Sequence, residues 1–159
     1  MTTHGNDGEP ITEAGLTALK AELGQLETVA RRDIAARILT ARGHGDLKEN
    51  AEYHAAKDDQ AMLETRIARL RQRLRSAVVV ETETEGQVFS FARSAEIRDE
   101  DTGETHTWTI VGATEADRAQ GKLSAESPIA RALLDHAVGD TVEVATPKRT
   151  RRLKIVRLV

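Results

Sequence analysis

The feature that most constrains this fold is an apolar stripe through the first half of the chain. Apolar residues recur there at gaps of three and four, the spacing of one helical face. The stripe has two parts, which are Leu16, Leu19, Leu23, Leu26, Ala30, Ile34, Ile38 and Ala41, and then Ala51, Ala55, Leu63, Ile67, Leu70, Leu74 and Ala77. Each part is too narrow to form a globular core but fits a coiled-coil seam. The sequence therefore predicts a long antiparallel α-helical coiled-coil hairpin over residues 12–77.

The stretch GHGDLKENAEYHAAK, residues 43–57, interrupts the stripe. Gly43 and Gly45 supply a permissive backbone, which favours the end of the first helix and a reversal of the chain. Helices of about 30 residues reach roughly 45 Å at about 1.5 Å per residue. Residues 43–49 are therefore predicted to form the tip of a long, thin rod.

After Ser76 the pattern changes to short β-branched runs separated by turn-forming sequence. Between two of these runs, Ser127 and Pro128 are typical of a helix start and are followed by a short apolar stripe. Residues 78–159 are thus predicted to form a compact domain with a largely antiparallel sheet and one short helix. The overall class is α+β, and residues 1–11 are expected to be a flexible tail.

Composition excludes several classes of protein. The chain has no cysteine, which rules out disulfides, thiolate zinc sites and cysteine nucleophiles. Its apolar runs are shorter than the roughly 20 residues of a membrane span, and its first residues lack the features of a signal peptide. We expect a cytoplasmic monomer with no membrane partner.

Asp46 and Glu49 stand at positions i and i+3 where the second helix is predicted to begin. Two interpretations stay open from this spacing. The pair can be a capping box, in which Asp46 accepts from the amide of Glu49. It can also be a functional acidic pair, and the two roles are compatible because acids at a helix start are both stable and exposed.

Further polar groups favour a functional tip. Asn50 and Tyr53 are expected one turn behind the acids, and Arg42 and Lys48 add positive charge. Carboxylates with nearby cations suit a hydrated divalent cation held against a phosphate. Two exposed carboxylates alone should bind Mg²⁺ only weakly, because this ion prefers near-octahedral oxygen ligation. We expect no cofactor bound tightly by the isolated protein.

Four stretches together resemble the bacterial Gre transcript cleavage factor family, in its GreA-like form. They are PITEAGLTALKAEL, GDLKENAEYHAAK, TIVGATEAD and SPIARALL, which occur in the family's order within residues 10–159. The resemblance implies that the hairpin enters the secondary channel of RNA polymerase and that a C-terminal FKBP-like domain docks at the channel rim. It also implies stimulated cleavage of backtracked nascent RNA by the polymerase itself, so that the protein is not an enzyme on its own.

Carried over by motif, Asp46 and Glu49 match the tip acids that help place a second Mg²⁺ in the polymerase active centre, with the remaining ligands supplied by the polymerase. By the same resemblance, Arg37 and Arg42 are candidates to face the 3′ end of the nascent RNA. Ser127, Pro128, Ile129 and Arg131 resemble the helix start near the rim contact, although capping by Ser127 explains that serine without any partner.

Three alternatives remain. The first is a Gre-family regulator that enters the channel and inhibits without cleavage, against which the intact acidic pair argues. The second is a prolyl isomerase, disfavoured because Phe89, Phe91 and Trp108 are few and scattered. The third is a histidine metal site, disfavoured because the five histidines show no paired ligand spacing.

Two basic clusters also admit two interpretations. One covers residues 66–75 and carries five arginines, and the other covers residues 148–157 on the predicted last strand. Each can be a solvated face or a surface for a polyanion or an acidic partner. A basic last strand departs from the resembled family, where this strand is commonly acidic or mixed.

Overall fold

A computed structural model describes residues 8–46, 49–81 and 86–159. The chain divides into two compact units. One unit comprises residues 16–77, and the other comprises residues 1–15 together with residues 78–159. The segment that precedes the hairpin in sequence therefore belongs to the unit that contains the C-terminal sheet.

The unit of residues 16–77 is a helical hairpin. Its first arm consists of α1 (Glu13–Gln25), a π-helical turn (Leu26–Ala30) and α2 (Arg31–Arg42), and its second arm is α3 (Ala51–Ser76). Ion pairs between the arms join Glu27 to Arg71, Arg31 to Glu64 and Arg37 to Asp59. Because the partner moves back along α3 as the first arm advances, the arms are antiparallel, as predicted.

Burial in the hairpin follows the predicted stripe, with one exception. Leu19, Leu23 and Ala41 are buried on the first arm, and Leu63, Ile67 and Leu70 are buried on the second. The exception lies at the start of α3, where Ala51 and Ala55 are exposed and Ala56 takes the buried position. The prediction was wrong there because Ala56 lies seven residues before Leu63, which is about two helical turns and returns to the same face, whereas Ala55 lies eight residues before it.

The π-helical turn coincides with an irregularity in the first stripe. Between Leu26 and Ile38 the apolar gaps are four, four and four. At about 100° per residue, each step of four overshoots a full turn by about 40°, so an ideal α-helix would rotate the stripe away from the seam. A π turn contains one more residue than an α turn, which takes back part of this drift.

Residues 9–11 correct the expectation of a flexible tail up to residue 11. They form strand β1 (Glu9–Ile11), which pairs with β2 (Ala77–Val79) in a two-stranded sheet. The amide of Val80 donates to the carbonyl of Ile11 at 3.0 Å, and Ile11 is buried. Residues 1–7 lie outside the described part of the chain.

The larger sheet contains β3 (Ser94–Asp99), β4 (Thr105–Val111), β5 (Lys122–Ser124), β6 (Thr141–Ala145) and β7 (Thr150–Leu158), in the spatial order β5-β4-β3-β7-β6. All pairings are antiparallel except β4 with β5, which is parallel. The short helix α4 (Pro128–Leu133) begins after Ser127, as the sequence predicted. This unit is α+β, although its sheet is mixed at one edge.

The core of this unit is formed by apolar residues of the sheet, of α4 and of the segment before β3. Its buried members are Phe89, Ala95, Ile97, Ile110, Leu123, Ile129, Ala130, Leu133, Val142, Val144, Leu153 and Ile155. Phe91 and Trp108 pack against this core, and Phe89 lies fully inside it. The aromatic residues of the unit are therefore used for core packing, which leaves the prolyl isomerase alternative without support.

Candidate functional site at the tip of the hairpin

The loop at the hairpin tip begins where α2 ends. Gly43 caps α2 with a right-handed φ of −67°, and its amide donates to the carbonyl of Thr40 at 3.1 Å. Gly45 has a φ of 107°, which other residues rarely adopt. Of the two glycines expected to allow the reversal, only Gly45 uses a conformation that favours glycine.

Asn50 is the N-cap of α3. Its side-chain oxygen accepts from the amide of Tyr53 at 3.0 Å, and α3 begins at Ala51. Asp46 and Glu49 therefore precede the helix instead of occupying its first turn. Of the two interpretations left open, a capping box formed by this pair does not describe the start of α3, because Asn50 caps that helix.

Asp46 and Glu49 are both exposed on the loop between α2 and α3. Carboxylate oxygens are ligands that Mg²⁺ accepts, and two of them leave most of an octahedral shell to water or to groups from another molecule. Among the residues that the structure describes, no third histidine, aspartate or glutamate joins them to complete a metal site. The donor set therefore fits an ion that is shared with a second molecule.

The other candidate tip residues differ in their surroundings. Arg42 is exposed, whereas Arg37 pairs with Asp59 at 2.9 Å on the side of the rod. Tyr53 is half-buried, and its ring meets that of His54 edge to face at 5.6 Å. Tyr53 therefore packs at the start of α3, and Arg37 serves first as a link between the arms. Lys48 lies outside the described residues.

Residues 66–75 also contribute links between the two arms. Arg66 pairs with Glu22, and Arg71 pairs with Glu27 at 2.8 Å. Nearer the tip, the hydrogen bonds from Arg31 lower the pKa of Glu64 and raise the pKa of Arg31. These side chains are exposed, so the pairs favour the register of the arms more than they stabilise the fold.

Sequence reasoning missed Asp99, which organises the basic strand β7. This carboxylate is almost fully buried and accepts from Arg149 at 2.9 Å and from Arg151 at 3.1 Å. Burial raises the pKa of Asp99, but the amides of Asp101 and Thr102 and the two arginines outweigh this effect, so the pKa lies below its usual value.

The next basic residues of β7 are also paired with acids of the same unit. Arg152 contacts Asp101 at 2.9 Å, which raises the pKa of Arg152, and Arg157 contacts Glu96 at 2.7 Å. Much of the positive charge on β7 is therefore compensated within the unit. The structure favours a solvated, ion-paired face over a surface for a polyanion. A candidate signal in the sequence was the acidic turn of residues 99–104 opposite a basic strand.

Three of the four predicted docking residues line one cavity of the C-terminal unit. The cavity has a volume of about 400 Å³ and is lined by Ala116, Arg118, Lys122, Leu123, Ser124, Ser127, Pro128, Ile129, Ala145, Thr146 and Pro147. Ser127 also caps α4, since its hydroxyl accepts from the amide of Ala130 at 3.2 Å. Arg131 is exposed and does not line the cavity.

Comparisons with known proteins identify both parts of the chain. The family described as "Transcription elongation factor, N-terminal" matches residues 9–79, and "Transcription elongation factor, GreA/GreB, C-term" matches residues 83–158. Transcription elongation factor GreA of Geobacillus kaustophilus is 47% identical over 92% of this chain and 94% of the relative. GreA of Azorhizobium caulinodans is 45% identical over 94% of this chain and 96% of the relative.

Among solved structures, the GreA factor homolog 1 (Gfh1) protein of Thermus thermophilus is 28% identical over 96% of this chain and 99% of that chain, with a TM-score of 0.43. Within the described residues, no helix is long and apolar enough to cross a membrane. The family matches and the GreA relatives confirm the resemblance found in the sequence and support an elongation factor, whereas they do not support the inhibitory alternative. The chain belongs to the GreA/GreB family of transcription elongation factors.

Proposed function

We propose that this protein, whose partner is RNA polymerase, stimulates the polymerase's own cleavage of backtracked nascent RNA. The observation that carries this proposal is the position of Asp46 and Glu49, both exposed on the short loop that joins the two arms of a helical rod. The second arm alone has 26 residues and spans about 40 Å. A rod of this kind delivers two carboxylates through a narrow channel into a distant active centre.

In the cleavage reaction, Asp46 and Glu49 supply oxygen ligands to one side of a metal shell that the polymerase completes. An Mg²⁺ ion held there by Asp46, Glu49 and the polymerase would supply the activation of water for attack on the phosphodiester and the stabilisation of the leaving oxygen. The two acids orient that shell, and the rod keeps them at the end of a thin body that leaves room for RNA. In this proposal the polymerase supplies the remaining ligands and the channel that holds the RNA, so the isolated protein is expected not to cleave RNA.

The remaining candidate residues have supporting roles in this proposal. Arg42 is exposed and in this proposal approaches the 3′ end of the nascent RNA, whereas Arg37 would first have to leave Asp59. In the C-terminal unit, the cavity at Ser127, Pro128 and Ile129 receives an apolar side chain from the rim of the secondary channel. The protein acts as a monomer in the cytoplasm, where its polymerase transcribes.

The test uses a stalled elongation complex whose backtracked RNA carries a label at its 3′ end. Wild-type protein with Mg²⁺ is expected to release a short 3′ fragment, and protein without polymerase is expected to release none. Asp46→Asn and Glu49→Gln should each slow this release by about 100-fold or more, because losing a metal ligand removes several kcal/mol of transition-state stabilisation. Both variants should still bind the polymerase, since the substitutions keep the shape of the side chain.

Asp58→Asn is the matched control, because Asp58 is an exposed acid on α3 outside the loop. It should cleave at the wild-type rate. Full activity in Asp46→Asn and Glu49→Gln would refute a role for the tip acids. Wild-type protein that binds the stalled complex and blocks nucleotide addition without cleavage would instead establish the inhibitory alternative.

A further inference from the structure

The side chain of Asn50 makes two hydrogen bonds that join the two arms at the base of the tip loop. Its oxygen accepts from the amide of Tyr53 at 3.0 Å, which caps α3. Its nitrogen donates to the carbonyl of Ala41 at 2.6 Å, which lies in the last turn of α2. One amide group therefore satisfies an orphan donor at the start of α3 and adds a side-chain donor to a carbonyl at the end of α2.

A second link closes the loop beside the first. The imidazole of His44 lies 3.6 Å from the carboxylate of Glu52, and the amide of His44 donates to the same carbonyl of Ala41 at 3.1 Å. Ala41 is itself buried between the arms. Both sides of the loop that carries Asp46 and Glu49 are thus hydrogen-bonded to the carbonyl of one buried residue, Ala41.

The two hydrogen bonds together explain why residue 50 is asparagine, whereas helix capping alone does not. Serine, threonine and aspartate cap helices about as well as asparagine, because a cap needs only an acceptor. The bond to Ala41 needs a donor at the other end of the same side chain. Of these residues, only asparagine offers a donor and an acceptor on one rigid amide plane.

We propose that Asn50 is a positioning residue for the cleavage reaction: it closes the tip loop and thereby fixes where Asp46 and Glu49 stand relative to the polymerase active centre. This inference rests on the proposed function. Catalytic groups need to be held to within about 0.5 Å, and a misplacement of about 1 Å can cost 100-fold in rate. Asn50 therefore acts through the two acids and needs no contact of its own with RNA.

The test compares Asn50→Ser and Asn50→Asp with wild-type protein in the cleavage assay. Both variants keep a capping oxygen. Serine is too short to reach Ala41, and aspartate presents an acceptor where a donor is required. Because the two variants differ in charge, a shared defect cannot come from charge. Each should lower the maximal cleavage rate by about 10-fold or more at saturating protein.

Two further readouts separate positioning from simple stability. The protein concentration that gives half-maximal cleavage should stay within about twofold of wild type, because the docking surfaces are unchanged. The Mg²⁺ concentration that gives half-maximal cleavage should rise several-fold, because displaced carboxylates complete the metal shell less well. Ile67→Val is the control for stability, since it removes one buried methylene from α3 and leaves the loop intact.

The inference is overturned if both Asn50 variants cleave at the wild-type maximal rate, if only the half-saturating protein concentration changes, or if Ile67→Val loses as much activity. Each of these results leaves the proposed function standing, provided that wild type cleaves and Asp46→Asn does not. If wild-type protein fails to stimulate cleavage, the proposed function itself is refuted, and this inference is refuted with it.

Discussion

Two acidic regions of the molecule use the same chemical group in opposite ways. At the end of β3, the carboxylate of Asp99 is 1% exposed and receives hydrogen bonds from two arginines and two backbone amides. At the tip of the hairpin, Asp46 and Glu49 are exposed and precede α3, which Asn50 caps. One carboxylate is enclosed by its own unit, and the other two remain accessible to a second molecule.

The buried carboxylate and the two exposed carboxylates differ in what they contribute, which is stability in the first case and binding in the second. A buried carboxylate contributes to the fold only when donors surround it, and Asp99 meets that condition. An exposed carboxylate adds little to stability but can still take part in binding a metal ion. Substitutions at Asp99 should therefore act on the fold, whereas those at the tip should act on cleavage.

The largest stability effect is expected for Asp99→Ala. Removing this carboxylate leaves two arginines and two amides without their shared acceptor, and breaking such a buried pair costs about 3 kcal/mol. Chemical denaturation should report this loss in the C-terminal unit. The maximal cleavage rate at saturating protein should stay at the wild-type value under conditions in which the variant is folded. If Asp99→Ala were as stable as wild type, the buried carboxylate of Asp99 would contribute nothing to the free energy of unfolding.

The pH dependence of the same loss identifies the charge as its cause. Because the pKa of Asp99 is lowered in the fold, its carboxylate stabilises the native state at neutral pH. This contribution is complete above about pH 4, the usual pKa of an aspartate, and is lost as the pH falls from there through the lowered pKa of the folded state. The difference in stability between wild type and Asp99→Asn should therefore shrink as the pH falls below about 4. A difference that is the same at pH 3 and pH 7 would contradict the role of the charge.

Much of this contrast could be predicted from the sequence, but not its details. The apolar stripe predicted the hairpin because a period of three and four leaves few other folds. The spacing of the loop acids left a capping box and a functional pair both open, and the functional role came from the family resemblance. The start of α3 was placed too early, since Asp46 and Asn50 are both good capping residues and local sequence does not choose between them. The hydrogen bond from Asn50 to Ala41 favours Asn50 as the N-cap, and this bond can form only when the two arms of the hairpin are together.

Asp99 could not be singled out in the same way. It stands in the sequence DEDTGE among other acids, all of which read as turn residues. Its partners Arg149 and Arg151 are about 50 residues away and meet it only through the pairing of β3 with β7. Long-range strand pairing decides which acid is buried, and no local pattern carries that information.

A smaller effect is expected from a matched pair of glycine substitutions, one in each region. Gly45 and Gly103 both have a positive φ, of 107° and 77°, and an added Cβ would meet nothing within 4 Å at either position. Gly45→Ala and Gly103→Ala should therefore each cost about 1 kcal/mol through backbone conformation alone. Only Gly45→Ala should also slow cleavage, because only this residue shapes the loop of the acids. If the two variants cleaved RNA at the same rate, the conformation of the loop at Gly45 would not matter for cleavage.

The smallest effect is expected for Arg152 on β7, which is adjacent to Arg151 but has a different partner. Arg151 is 20% exposed and donates to the buried Asp99, whereas Arg152 is 55% exposed and contacts Asp101 near the surface. Arg152→Gln should shift the thermal midpoint by no more than about 2 °C, because exposed ion pairs contribute little and are screened by salt. Arg151→Gln should shift it further, since it removes a charged donor from a buried acceptor. Thermal unfolding of the two variants at low and high salt measures both shifts. If the two variants shifted the thermal midpoint equally, the hydrogen bond from Arg151 to the buried Asp99 would be worth no more than the exposed ion pair of Arg152.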